Sequence, residues 1–185
     1  MTSIKSDPNV KLMIRWVATS TIAWPVGILL AIILSHLIVN IFHPEETNLI
    51  VGLCVGFSIG FAQWQVLRSI MTMSLLWFVV PALGIGLPYG WYIMQVEAGN
   101  SLPLIWNTEG VFMVILFFVC GAMVGLIQSK LKSFPRTGSY IWVLLSGLGW
   151  GVALMLNSFL LSGLVIGLLT CVTFIFILKE RNMSS

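Results

Sequence analysis

The sequence predicts an all-α, polytopic membrane protein with six transmembrane helices. Its composition is the first reason: of 185 residues, 58% are hydrophobic and 8% charged, whereas a soluble domain carries about 25% charged residues. The second is that six apolar stretches approach the roughly 20 residues that a helix needs to cross the hydrocarbon core. These stretches, numbered here as spans one to six, cover roughly residues 16–40, 50–68, 76–96, 111–128, 140–156 and 159–178.

The third reason is the placement of the basic residues, which also predicts the orientation. All nine Lys and Arg residues precede span one, end span two or follow spans four and six, whereas the opposite ends carry Glu45, Glu46, Glu97 and Glu109. By the positive-inside rule, both termini are then cytoplasmic. We expect a basic cytoplasmic tail over residues 1–15, one six-helix transmembrane domain over 16–178 and a cytoplasmic tail over 179–185.

Three tryptophans each open an odd-numbered span at its basic end. They are Trp16, Trp77 and Trp142. Indole rings favour the headgroup level of a bilayer, where the ring is buried while the N–H stays hydrated. We therefore expect these three side chains to be interface anchors.

The chain also repeats itself with an offset of 65 residues. Six positions carry the same residue in both copies: Gly56, Gly60, Gln63, Trp77, Gly84 and Gly86 match Gly121, Gly125, Gln128, Trp142, Gly149 and Gly151. A weaker third copy has Gly163, Gly167 and Thr170 in the same relative places. The interpretation is a hairpin of two spans used three times, as parallel repeats around an axis along the membrane normal.

Small residues form a stripe along the second helix of each hairpin. The three glycine stripes are Gly52, Gly56 and Gly60, then Gly121 and Gly125, then Gly163 and Gly167. Small residues four apart allow two backbones to approach closely, which drives helix association in lipid. We expect the even-numbered spans to meet each other or their hairpin partners along these stripes.

A polar residue ends each stripe, in turn Gln63, Gln128 and Thr170. One interpretation is a narrow central path that these three side chains line. The favoured interpretation is hydrogen bonding between helices, which contributes about 0.6 to 2 kcal/mol and needs no ligand.

The segment from Gly56 to Arg68 reads GFSIGFAQWQVLR, and Trp77, Gly84 and Gly86 follow it. This pattern resembles that of small multi-pass bacterial membrane proteins with G-x-x-x-G-x-x-Q-W-x-V-L-R hairpins, each followed by a Trp-led, Gly-rich helix. The copy from Gly121 to Gln128 keeps Gly and Gln but replaces the tail of the motif. The resemblance covers spans two to five. That group is functionally uncharacterised, so the resemblance implies an architecture and carries over no site.

His36 is an ionisable residue within span one, which makes it a candidate site. Neutral imidazole could bind a metal or a tetrapyrrole, or relay protons. Because no second ligand stands three or four residues away, a hydrogen bond to a neighbouring helix is favoured. His43, Glu45 and Glu46 share one outer loop, but they lack the spacing of a zinc or calcium motif. We expect no metal site, and no pattern identifies a cofactor.

Proline residues interrupt two spans. Pro25 and Pro88 lie well inside spans one and three, where each removes a backbone hydrogen bond and kinks the helix. Pro81 lies near the start of span three, where we expect little cost. The segment from Pro88 to Trp91 either borders a pocket in the outer half or only shapes the helix.

The residue inventory excludes the common enzyme classes. No Asp lies in any span, and the sequence has no H-E-x-x-H, G-x-S-x-G or phosphate-binding loop. Topology accounts for the nine bases, so no nucleic-acid binding is expected. Two classes remain: an accessory or structural subunit that binds a membrane partner, an apolar ligand or its own copies, and a small-solute or lipid carrier. The scarcity of midplane polar groups favours the first class, in a bacterial-type inner (plasma) membrane or another internal membrane.

Overall fold

A computed structural model describes residues 8–38, 44–97, 108–131, 136–156 and 159–183. Within these ranges the chain is mainly helical and contains no strand, which confirms the all-α class. The helices are α1 (Pro8–Ile38), α2 (Pro44–Leu67), α3 (Leu76–Gly84), α4 (Gly86–Glu97), α5 (Thr108–Leu131), α6 (Arg136–Leu156) and α7 (Phe159–Met183).

Five helical stretches are long and apolar enough to cross a membrane. They are Asn9–Leu37, Leu49–Leu67, Leu76–Gln95, Val111–Leu131 and Thr137–Leu156, and a shorter apolar stretch, Leu160–Thr173, lies within α7. Large aliphatic side chains cover the outside of the bundle, as at Ile14 and Leu37, which are 64% and 70% exposed. Such a surface is unusual in a soluble monomer, and the molecule has the form of a multi-pass membrane protein.

The helices run beyond the apolar spans at several ends. Helix α1 begins at Pro8, so that residues 8–15 of the predicted basic tail are helical, and α7 continues to Met183. Once a helix has formed, each added residue gains a backbone hydrogen bond. Both helices therefore extend beyond the predicted spans, and the apolar stretch Asn9–Leu37 of α1 includes part of the predicted basic tail.

The helices pack as a closed ring in chain order. Helix α1 packs against α2, α2 against α3 and α4, α3 against α5, α5 against α6, α6 against α7, and α7 against α1. The backbone of α4 packs on α2 and α3 rather than on α5. The α3–α4 stretch as a whole, and each of the other helices, therefore has neighbours on two sides and turns a third face toward the ring interior.

The third apolar stretch is divided at Ile85 into α3 and α4. Backbone hydrogen bonds still cross this point, from Ile85 N to Pro81 O at 3.0 Å and from Tyr89 N to Ile85 O at 2.9 Å. Pro81 and Pro88 have no N–H, so the helix loses two hydrogen bonds around the division. Pro88 lies in the first turn of α4, whereas α1 continues unbroken through Pro25.

Buried side chains occupy the ring interior in layers. The layers come from α1, the α3–α4 stretch and α6, at positions four residues apart: first Trp16, Trp77 and Trp142, next Ser20, Pro81 and Ser146, and then Trp24, Ile85 and Trp150. Between them lie the buried branched residues Ile59, Val124 and Ile166 of α2, α5 and α7. This core positions every polar candidate considered next.

Candidate functional site

Three tryptophans meet inside the ring, at the ends of α1, α3 and α6 that the positive-inside rule assigns to the cytoplasmic side. The rings of Trp16 and Trp142 have centroids 5.8 Å apart, edge to face, and those of Trp77 and Trp142 are 5.6 Å apart. Their exposed fractions are 0%, 0% and 1% for Trp16, Trp77 and Trp142. The expectation that they anchor the outer surface at the interface is therefore wrong: their rings belong to the core, where aromatic pairs contribute about 0.5–1.5 kcal/mol each. We call these three residues the tryptophan cluster.

Gln128 holds two members of the cluster together. Its amide Nε2 donates to the Trp77 carbonyl at 3.2 Å, and its Oε1 accepts a hydrogen bond from Trp142 Nε1 at 3.2 Å. Pro81 lies four residues after Trp77 and has no N–H, so the helix cannot supply a donor to that carbonyl. The amide of Gln128 supplies it instead. The four-residue spacing of Trp77 and Pro81 was the sequence signal for this bond, and the expectation that Pro81 has little cost overlooked the carbonyl that it frees.

Thr170 makes the corresponding bond to the third tryptophan. Its hydroxyl accepts from Trp16 Nε1 at 3.0 Å and donates to the Ile166 carbonyl of its own helix at 2.6 Å. This bond joins α7 to α1, where the ring closes. Gln63, the third polar candidate, is also buried, at 4% exposed.

The cluster and its partners form an uncharged, tightly packed site. Gln128 and Thr170 are 1% and 2% exposed, and each is hydrogen-bonded to an indole. Neither side chain therefore has the arrangement of a residue that lines an open polar path. The chemistry that this arrangement supports is hydrogen bonding between helices in a low-dielectric interior.

Each glycine stripe contacts the helix that comes next in the ring. The stripe on α2 lies against α3 and α4, that on α5 against α6, and that on α7 against α1. Spans two and four therefore pack their glycines on the odd-numbered span that follows each of them in the sequence. Span six packs its glycines on span one. These contacts are neither with another even-numbered span nor with the preceding hairpin partner, the two possibilities that the sequence suggested.

The glycine contacts are made largely to backbone atoms. A Cβ added to Gly56 would lie 2.5 Å from the Pro81 carbonyl oxygen, and one on Gly121 would lie 2.8 Å from the Ser146 carbonyl oxygen. The remaining stripe residues also meet their neighbours closely: Gly52 meets Gly86 and Gly90, Gly60 meets Phe78, Gly125 meets Ser146 and Val143, Gly163 meets Ser20 and Thr21, and Gly167 meets Val17 and Ser20. A side chain at these positions would require two helices to separate.

His36 lies apart from the cluster, exposed on the outside of α1. Its Nδ1 is 2.8 Å from the Ile32 carbonyl of the same helix. No group of three or more His, Cys, Asp or Glu residues that could hold a metal ion occurs in the part of the chain that the structure describes. His43 and the side chains of Glu45 and Glu46 lie outside the described residues.

A second aromatic group occupies the other half of the ring interior. Trp24 contacts Trp150 and Tyr89, both with ring centroids 5.7 Å away, and Tyr89 reaches Phe117 of α5 at 6.4 Å. Tyr92 also contacts Phe117, at 6.5 Å. These rings bridge α4 and α5, whose backbones are not closely packed, and within the Pro88–Trp91 segment the ring of Tyr89 packs against the core.

Comparison of the chain with protein-family models, with curated proteins and with solved structures finds no match.

Proposed function

We propose that this chain is a non-enzymatic integral membrane protein, an accessory or structural subunit that binds a membrane partner or apolar ligand through its bilayer-embedded outer surface. The single observation that carries this proposal is the filled ring interior. Indole rings dominate its first and third layers, with Trp16, Trp77 and Trp142 at most 1% exposed, and buried Ser and Pro residues form the layer between them.

A filled interior argues against transport along the ring axis. Carriers bind substrate near the bilayer midplane between helices, and ion pathways use ionisable residues or water-filled cavities. Here, the polar groups Gln128 and Thr170 are hydrogen-bonded to indoles, and His36 lies on the outside of the bundle. The outer surface is then what remains available for a partner.

The architecture that we propose has six spans, built as three copies of a two-helix unit with both termini in the cytoplasm. Related contacts support the repeat: Gly56 with Pro81, Gly121 with Ser146, and Gly163 with Ser20. Each contact joins a stripe glycine to a residue in the second layer. The unit that these contacts favour is an even-numbered span with the following odd-numbered span, and α7 with α1 forms the third unit.

A lipid or small-solute carrier is the second candidate, and one observation favours it. The backbone of α4 packs on α2 and α3 rather than on α5, and the gap is bridged by the rings of Tyr89, Tyr92 and Phe117. Movement of these rings would open a lateral entry from the lipid. Such an entry would suit an apolar ligand, since the bridging groups are aromatic.

Reconstitution and co-purification together test the two candidates. We expect purified protein in liposomes to show no flux of ions or small charged solutes, and a stoichiometric partner to co-purify in mild detergent. Trp91, which is 41% exposed on α4, offers a test of the surface: Trp91→Ala should release such a partner without changing the melting temperature. Robust solute flux that is lost in Gln128→Ala would reject the subunit proposal in favour of a carrier.

A further inference from the structure

An aromatic face lies on the outside of the ring, along α2 and the start of α3. It consists of Phe57, Phe61, Trp64 and Phe78. The rings of Phe57 and Phe61 are stacked at 6.0 Å, those of Phe61 and Trp64 at 5.8 Å, and Phe78 meets Trp64 edge-on at 5.9 Å. Phe57 and Phe61 are each 37% exposed. The face is therefore continuous, and the rings of Phe57 and Phe61 are exposed on the outside of the bundle.

An arginine stands at one end of this aromatic face. The guanidinium carbon of Arg68 lies 4.7 Å from the centroid of the Trp64 ring. Arg68 is exposed, directly after the last residue of α2. A guanidinium stacked on a ring keeps its N–H groups directed outward in one plane, suited to a bidentate oxyanion.

The other two helices that carry a glycine stripe, α5 and α7, lack aromatic residues at the positions of Phe61 and Trp64. The offset of 65 residues relates Phe61 to Leu126 of α5, and the third copy has Leu168 of α7 at the same place. Trp64 corresponds in the same way to Ser129 and Cys171. All three helices pack on their neighbours through equivalent glycines, so helix packing does not require aromatic residues at these positions. The rings therefore point to a ligand outside the bundle.

We propose that the aromatic face binds an anionic phospholipid, with the acyl chains on the rings and the phosphate on Arg68. The observations favour a lipid because an apolar surface about three helical turns long ends in an exposed cation at the end of a span, which matches a lipid's tail and headgroup. Basic groups at this level attract anionic headgroups. Ser69, Thr72 and Ser74 are exposed in the connection that follows Arg68. This lipid site is independent of any protein partner, because it requires only one face of the molecule and a lipid.

Lipid binding to the purified protein tests the proposal. Native mass spectrometry in mild detergent would compare phosphatidylglycerol with phosphatidylcholine carrying identical acyl chains. We expect a preference of about fivefold for the anionic lipid, the scale of one basic group near a charged headgroup. Arg68→Gln should abolish the preference, and Arg68→Lys should retain part of it. Phe61→Leu, which installs the residue of the two related helices, should weaken the binding of both lipids.

Lys130 supplies the matched control, because it is an exposed base at the end of α5, a helix equivalent to α2, without an aromatic face. Lys130→Gln should leave the preference unchanged. An equal loss in Lys130→Gln and Arg68→Gln would indicate general attraction to charge and would overturn the proposal. Equal binding of both lipids to the parent would also overturn it, as would a protein partner released by Phe61→Leu in the absence of any lipid preference. The melting temperature of each variant establishes that it is folded.

Discussion

At the residue scale, two buried threonines on α7 differ in their hydrogen bonding. Thr170 accepts a hydrogen bond from Trp16 and donates one to Ile166. The hydroxyl of Thr173, three residues later and 0% exposed, has no hydrogen-bond partner among the residues that the structure describes. A buried hydroxyl without a partner costs free energy, whereas a paired one contributes modestly to stability. The two positions therefore form a matched pair for measuring what the bond to the tryptophan cluster contributes.

Replacing each threonine by valine keeps its shape and removes its hydroxyl. We expect Thr170→Val to lower the free energy of unfolding by about 1 kcal/mol. Thr173→Val should leave it unchanged or raise it, because no hydrogen bond is lost. Denaturant unfolding in detergent micelles measures both. Equal destabilisation by the two variants would show that the Trp16 bond makes no specific contribution.

At the element scale, the tightest approaches between helices occur at the stripe glycines. A Cβ on Gly60 would lie 2.7 Å from Phe78 Cα, a backbone atom that cannot move by rotating a side chain. Gly149 of α6 offers a contrast, since a Cβ there would lie 3.5 Å from Ile166 Cα, an ordinary van der Waals distance. The close approach of helices is thus not a general property of glycines in this chain.

Alanine substitutions at Gly60 and Gly149 should have different effects on the free energy of unfolding. Gly60→Ala should lower the free energy of unfolding by about 1–3 kcal/mol through overpacking, and Leu at Gly60 or Gly125 should lower it more. Gly149→Ala should be neutral or stabilising by up to about 1 kcal/mol, because alanine favours a helix. Thermal melting in detergent compares the variants. If Gly60→Ala melts with the parent, α2 and α3 do not approach each other closely at this glycine.

At the scale of the whole molecule, contact between the first and last helices closes the ring. Gly167 of α7 faces Val17 of α1, where an added Cβ would lie 3.1 Å from Val17 Cα. Cys171 Sγ lies 4.0 Å from the Met13 carbonyl oxygen. Closure joins the two ends of the chain and completes the surroundings of Trp16, which also depends on α7 for the bond to Thr170.

A cross-link between α1 and α7 tests this closure. Met13→Cys should react with the native Cys171 through a short bifunctional thiol reagent, and the product should migrate faster in a denaturing gel. The same substitution combined with Cys171→Ser is the control, because it removes the Cys171 thiol and leaves Cys54 and Cys120 in place. An identical pattern with and without Cys171 would mean that α1 and α7 are not neighbours.

The helices and the glycine and polar positions could be predicted from the sequence, but the roles of several residues depend on neighbours that a linear pattern does not contain. Trp142 opens a predicted span and would fit either the headgroup level or a packed interior, because an indole is apolar with one polar edge. The partner of Gln128 depends on Pro81, which frees a carbonyl on a different helix. Likewise, the helix that meets Gly121 is set by the ring order and not by the stripe.

The sequence by itself determined the membrane class and the helical character of this protein, because composition and apolar runs of about 20 residues act locally. Only the tertiary structure decided which face of each helix is turned inward. Lipid is as apolar as the side chains of the core, so hydrophobicity does not distinguish the two faces of a transmembrane helix. Packing in the tertiary structure distinguishes them: Trp16 is completely buried, whereas Leu37 on the same helix is 70% exposed.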